Sequence, residues 1–350
     1  MRTLVLVGLI GTVLLVAASL LGYKGAAPGF RAAEPVAGSV ARIHLLAFGD
    51  INLGRAVGQE ILKGDTLYPF AGVRDSLLEY DVVFGNLESC LSDQGGETQS
   101  PDNNMIFTGP PSGGMTLRRG GVHIVSTANN HVLDYGLGGW EETMESLERA
   151  GVAFVGTARD PANLHRPVVL ERNGVRIAFF ACTDIMNRPG DGWKRYVAAA
   201  DTAVLLPKIR QARGIADFIV VSYHGGEEYA ERPTQRTVDF GRAAVGAGAD
   251  LFLGHHPHVP YGIERRRGAL ILHSLGNFVF RQPAHFWTQR SYALRVTVVK
   301  DSAGARIEEY DVIPVKSGLR PTFALSQADQ DTVYQRVFAF SSTEVTELVR

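Results

Sequence analysis

The chain is poor in cysteine: Cys90 and Cys182 are all it has. That excludes a disulfide-dense scaffold and a four-cysteine zinc site. It also lacks an excess of either charge. Lys+Arg 35 against Asp+Glu 36 gives a formal net charge of -1. A strongly basic nucleic-acid binder and an acidic disordered tail are thereby excluded. No internal repeat and no low-complexity tract interrupts it. What remains is ordinary globular composition, with 45% hydrophobic and 20% charged residues. The 350 residues suffice for one large domain or two smaller ones with a sizeable core. Glycine is plentiful at 39 residues, which suits many tight loops of the kind on which sites are built.

One stretch lacks charge altogether. Between Arg2 and Lys24, the run Leu4 to Gly22 contains only Leu, Val, Ile, Ala, Gly, Thr and Ser. At about 1.5 Å per residue a helix of this length spans about 28 Å, close to a hydrocarbon core of about 30 Å. Residues 1–24 are therefore expected to be a signal-anchor. The small residues at Ala17-Ala18-Ser19 and Arg31-Ala32-Ala33 leave a cleaved signal as the alternative. No cysteine lies near the end of the run to carry a lipid. Both readings place the body outside the cytoplasm, single-pass at the cell membrane or released after cleavage. Residues 25–40, rich in Ala, Gly and Pro, read as a linker. The body is expected over 41–325, with a C-terminal helix and tail over 326–350.

Within the body, apolar runs read as buried strands: Ile43–Phe48, Asp81–Gly85, Gly121–Ser126, Asp217–Tyr223 and Asp250–Leu253. Asn173-Gly174 between Pro167–Arg172 and Val175–Cys182 predicts a hairpin. Trp140–Ala150 and Thr234–Ala247 have helical spacing, the first ending at Gly151, a good C-cap residue. Leu270–Ser274, Ser291–Val299 and Ile307–Val312 read as later strands, the last two as a hairpin. Strands alternating with helices, plus antiparallel pairs, predict an α/β sandwich of mixed sheets.

The informative pattern is what stops each strand. The series is Asp50 with Asn52, Glu88, Asn130 with His131, His224, and then His256 with His258. Carboxylate, amide and imidazole groups from several strand ends can meet at one crevice, because the carboxyl ends of parallel strands converge there. That donor mixture suits Mn, Fe or Zn, and one carboxylate can bridge two ions. His255-His256-Pro257-His258 is the sharpest element, since three imidazoles in four residues are rarely needed for packing. Taken singly, Asp50, Glu88 and Asn130 read equally well as turn, loop or cap residues. His123, inside a strand, reads as structural.

In order along the chain, the sequence carries Gly49-Asp-Ile-Asn-Leu-Gly-Arg55, Gly85-Asn-Leu-Glu88, Ala128-Asn-Asn-His131 with Asp134-Tyr-Gly136, His224-Gly-Gly-Glu-Glu-Tyr229, Gly248 to His258, and Ser274-Leu-Gly-Asn-Phe278. This series resembles the capsule-biosynthesis CapA family, associated with poly-γ-glutamate and related in fold to calcineurin-like metallophosphoesterases. The resemblance implies a four-layer αββα sandwich around two divalent ions. It implies Asp50 on the first ion, Glu88 between the ions, Asn130 on the second, and His224, His256 and His258 completing the shells. His131 would stand beside the leaving group and His255 just outside the ligands. Asn52 occupies a place where the wider superfamily has His, and Glu88 one where it has Asp.

Two functions follow. The first is a metal-dependent phosphoester hydrolase, with His131 as general acid and Arg55 holding an anionic oxygen. Glu228 and Tyr229 would orient His224. The second is a non-hydrolytic accessory protein of capsule polymer assembly or export, or a metal-dependent γ-glutamyl amide hydrolase or transferase. The partners implied are an anionic phosphoester or the polymer, the membrane, and capsule synthase or export proteins; nucleic acid is not among them.

Overall fold

The computed structural model describes residues 40–342. The apolar run Leu4–Gly22, the linker up to Ser39 and the tail from 343 onward lie outside the described residues. In chain order the strands are β1 (Ala41–Ile51), β2 (Val82–Leu87), β3 (Cys90–Leu91), β4 (Thr108–Gly109), β5 (Ile124–Ser126), β6 (Ala153–Val155), β7 (Val168–Arg172) and β8 (Val175–Thr183). They continue as β9 (Phe218–His224), β10 (Leu251–His255), β11 (Ile263–Arg266), β12 (Ala269–Leu272), β13 (Asn277–Val279), β14 (Arg290–Asp301) and β15 (Gly304–Lys316). The helices are α1 (Arg55–Leu62), α2 (Arg74–Leu77), α3 (Gly113–Gly120), α4 (Gly136–Ala150), α5 (Thr202–Ala212), α6 (Gln235–Ala247) and α7 (Gln327–Ala339).

Alternation along β1 shows how the layers arise. Ile43, Leu45 and Ala47 face one side and Leu46 and Phe48 the other, and all are buried. A strand covered on both faces must be apolar throughout, which is why the runs seen in the sequence are continuous. The first sheet has the order β15-β14-β1-β2-β5-β6, with β13 also paired to β1. The second has the order β11-β12-β10-β9-β8-β7. Each is parallel in its middle and antiparallel at an edge.

The inner faces meet in one core, where Leu45 and Phe84 join Ile177, Phe179 and Val220, and the Phe84 and Phe179 rings stack at 5.8 Å. The outer face of the first sheet is covered by α1, α3 and α4 through Val57, Ile61, Leu117 and Leu147. The outer face of the second is covered by α5 and α6 through Leu205, Ile209, Phe240 and Ala244. The result is the four-layer αββα sandwich of mixed sheets. Among the described residues no helix is long and apolar enough to cross a membrane.

Most expected elements occur with shifted ends. The Asn173-Gly174 turn joins β7 to β8 with both residues at positive φ, as a two-residue hairpin requires. The expected strand Gly121–Ser126 shortens to Ile124–Ser126, because Gly121 at φ 92° caps α3, a helix the Gly-rich sequence Gly113-Gly-Met-Thr concealed. The strand expected through Ser274 ends at Leu272. The final helix, expected within 326–350, is capped by Ser326, begins at Gln327 and ends at Ala339. From there Ser341 and Ser342 run along the edge of β11, with Ser342 N donating to Ile263 O.

Candidate metal centre

Each site residue stands where a strand leaves its sheet. Asp50 is near the end of β1, Asn86 and Glu88 at the end of β2, and Asn129-Asn130-His131 beyond β5. From the second sheet come His224 at the end of β9, His255 at the end of β10, and His256 and His258 just past it. Gly49 has a specific reason to be glycine. A Cβ there would overlap the Gly276 carbonyl oxygen, which accepts the Asp50 N–H at 3.0 Å. This close approach sets β13 beside β1 with Asn277 opposite Asp50.

The cluster centres on one carboxylate oxygen. Glu88 Oε1 lies 3.7 Å from His258 Nε2, 3.8 Å from His224 Nε2 and 4.0 Å from His131 Nε2. Asp50 Oδ1 is 3.2 Å from His255 Nδ1, and Asp50 Oδ2 is 3.3 Å from His258 Nδ1. Asn130 Oδ1 is 2.8 Å from His224 Nε2. All of these side chains are buried. Glu88, His224 and His256 offer ligand atoms within reach of a single ion, and so do Asp50, Glu88 and His258.

Electrostatics mark this as an unusual place. Burial, followed by the charge of Asp50, holds the Glu88 carboxyl well above the usual range. Burial also acts upward on Asp50, but the adjacent His255 and His258 imidazoles outweigh it and hold Asp50 well below that range. Burial and the neighbouring His256 push His224 far down. Burial and His258 lower His256 to about 4. Neutral imidazoles are the ligand form. Asp50 Oδ2, Glu88 Oε1, His256 Nδ1 and both ring nitrogens of His255 are buried without a hydrogen-bond partner. Orphaned lone pairs of this kind, from oxygen and nitrogen donors around two buried carboxylates, fit a divalent cation. Two of the histidines are held at positive φ, His256 at 94° and His258 at 59°. Such strain persists only where surrounding contacts impose it, and it is commonest at functional sites.

His131 has a different setting. Its Nδ1 lies 2.8 Å from Asp134 Oδ2, which also accepts the Phe107 N–H at 3.1 Å. Its ring packs on Phe107 at 4.2 Å. Phe107 also carries Arg55, whose guanidinium lies 4.3 Å from the ring centroid. Arg55 is at φ 53° and donates to Asn104 O at 2.9 Å. Burial lowers its pKa, and its Nε is buried without a hydrogen-bond partner. Arg55, Phe107, His131, Tyr229, His258 and Phe280 line a cavity of about 390 Å³ against the cluster. A larger cavity of about 650 Å³, lined by Arg232, Arg242, Glu264 and His273, contains none of these residues and no ligand series.

Three expected residues behave differently. Asn52 directs its amide oxygen to Gly54 N–H at 2.7 Å, closing its own turn. Glu228 and Tyr229 stand at the cavity rim, with Tyr229 stacked on His285 at 4.3 Å and accepting from Gln282 Nε2 at 3.0 Å. The side chain that lies against His224 is instead Asn86, whose Nδ2 is 3.1 Å from His224 Nδ1. Asn86 Nδ2 also donates to Asp50 Oδ1 at 2.9 Å. The sequence held a signal for it, since Asn86 and Glu88 are two apart on an extended segment and share a face. Asn277, whose Oδ1 is 2.9 Å from His258 Nδ1, stands in the Ser274-Leu-Gly-Asn-Phe278 stretch of the series, where nothing local marks it as a partner of His258. His123 accepts the Val83 N–H at 3.0 Å and is structural.

Two mixed sheets between helical layers, with a buried imidazole–carboxylate cluster where their strands end, define an α/β protein with a centre compatible with divalent metal binding. The chain belongs to the family described as bacterial capsule synthesis protein PGA_cap, which matches residues 44–282. It is 31% identical over 306 residues to the capsule biosynthesis protein CapA of Bacillus anthracis, covering 83% of this chain and 74% of that one. It is 32% identical over 272 residues to the PGA biosynthesis protein CapA of Bacillus subtilis, covering 74% and 68%. Among solved structures it is similar to the calcineurin-like phosphoesterase YfkN from Bacillus subtilis, with a TM-score of 0.46 and 13% identity over 85% of this chain and 97% of that one.

Proposed function

We propose that this protein is a membrane-anchored, extracytoplasmic enzyme of capsule polymer assembly that hydrolyses phosphoesters with divalent metal ions. The observation that carries the reading is the set of three imidazole Nε2 atoms within 4.0 Å of one buried, unpartnered Glu88 oxygen, beside a cavity that holds an arginine with an unpartnered Nε. Family membership supports the capsule setting, and the apolar run Leu4–Gly22 supports the anchor.

Asp50, Glu88 and His258 would hold one ion, and Glu88, Asn130, His224 and His256 a second. When bound, the ions supply Lewis acidity that activates water and draws charge from phosphoryl oxygens. The chain's own groups do the rest. Arg55, held by Phe107 and Asn104, presents a guanidinium to an anionic oxygen of the substrate in a partly desolvated cavity, where the pairing is strong. His131 keeps its Nδ1 proton on Asp134, leaving Nε2 to face the reacting groups. As imidazolium it releases the Nε2 proton to the departing oxygen, and the neutral ring stays in place on Asp134. Phe107 and Phe280 exclude water from one wall.

The test pairs elemental metal analysis with hydrolysis assays on a generic aryl phosphodiester and on poly-γ-glutamate. The expected result is bound metal and phosphodiester turnover that a chelator abolishes. Bound metal with turnover of the polymer alone would move the reading to γ-glutamyl amide cleavage. Bound metal without turnover of either substrate would move it to the accessory role. Protease protection on intact cells tests the location: a cytoplasmic C-terminus would overturn the export part of the reading.

A further inference from the structure

An asparagine amide has two ends of the same size, so shape alone does not decide which end Asn130 turns to the cluster. Its Oδ1 lies 2.8 Å from His224 Nε2, on the cluster side. Its Nδ2 donates to Asn187 Oδ1 at 3.1 Å. Asn187 comes from a different sheet: it belongs to the loop that leaves β8, whereas Asn130 follows β5. That loop is fastened where it crosses. Arg188 Nε donates to Leu133 O at 2.8 Å. At its base, Thr183 Oγ1 donates to Ile185 O at 2.8 Å. As the structure has it, the Asn187 oxygen faces Asn130, and its Nδ2 lies 3.3 Å from His131 Nδ1.

We infer that Asn187 is a positioning residue: it holds the Asn130 side chain with its oxygen, and not its NH₂ group, toward the metal centre. The inference rests on the proposed reading of Asn130 as a ligand. The physics is direct. A carboxamide oxygen ligates a divalent ion and its NH₂ group does not. The terminal torsion of Asn is broad and close to two-fold, so rotation by half a turn is cheap unless hydrogen bonds forbid it. Asn187 Oδ1 forbids it, since two oxygens would otherwise face each other. The oxygen of a ligand on one sheet is thus oriented by a loop of the other.

The test compares the full-length wild type with Asn187→Leu, which keeps the volume and removes the acceptor, and Asn187→Asp, which keeps the acceptor. Mn²⁺ affinity is read by the electron paramagnetic resonance of the free ion, in high salt to screen the added charge of Asp. Asn187→Leu should weaken binding at one of the sites by about 10–100-fold, the usual cost of removing a group that orients a ligand. Asn187→Asp should restore it. The thermal midpoint of the chelator-treated protein should be nearly the same in all three, because Asn187 is exposed and its loss opens no cavity. Wild-type affinity in Asn187→Leu, or an equal loss in both variants, overturns the inference and leaves the metal reading standing. A wild type that binds no Mn²⁺ overturns both.

Discussion

Asn277 Oδ1 lies 2.9 Å from His258 Nδ1, and the orientation of its amide is dictated from behind. Its Nδ2 donates to Gln282 Oε1 at 2.9 Å and to Thr288 O at 3.0 Å. The oxygen must therefore face the ring, so His258 carries its proton on Nδ1 and turns a bare Nε2 toward Glu88. Asn277→Ala should free the ring and lower Mn²⁺ affinity by about 10–100-fold. It should also destabilise the chelated protein by about 1–3 kcal/mol, because the buried Thr288 carbonyl loses a donor. Calorimetric titration and urea unfolding measure the two effects separately.

Glu88→Gln keeps size and removes the charge. With ions present it should lower metal content and hydrolysis together. In chelator-treated protein the sign reverses. Burial and Asp50 hold the Glu88 carboxyl well above its usual range, so its ionised form opposes folding. The thermal midpoint of the chelated variant should equal or exceed that of the wild type in differential scanning fluorimetry at pH 7.

His131→Ala removes the proposed acid and none of the proposed ligands. Metal content should stay as in the wild type while turnover falls by about 10²–10⁴-fold. The loss should shrink for a substrate such as a nitrophenyl ester, whose leaving group needs no proton. Steady-state rates on paired substrates give this directly.

Far from the site, Asp217 receives Arg176 N at 2.8 Å, Arg176 Nη2 at 3.0 Å and Lys300 Nζ at 2.9 Å, joining β8 to β14 across the two sheets. Burial acts upward on its pKa, but Arg176 and Lys300 prevail and hold it well below the usual value. A depressed carboxyl stabilises the fold above its unfolded pKa of about 3.9, and loses that contribution as pH falls through the folded value. The stability difference between wild type and Asp217→Asn should be constant above about pH 5 and shrink below about pH 4. Urea unfolding across that range checks the sign.

Several features were legible in residues close together in the chain. Continuous apolar runs read as strands because strands buried on both faces tolerate nothing else, and β1, β2, β9 and β10 all occur where those runs lie. A short polar or imidazole residue at the end of such a run is a local pattern. Asp50, Glu88, Asn130, His224, His256 and His258 stood out for that reason, and the fold gathers them.

The sequence by itself thus determined which groups reach the cluster, because a strand end and a ligand-type residue are neighbours along the chain. Only the tertiary structure decided which groups orient them. Asn86 meets His224, Asn187 meets Asn130 and Asn277 meets His258 across separations set by sheet order and packing. An asparagine that closes its own turn, as Asn52 does, has the same local signature as one that holds a histidine. Which of the two it does depends on what the other sheet places opposite it, and no nearby residue carries that information.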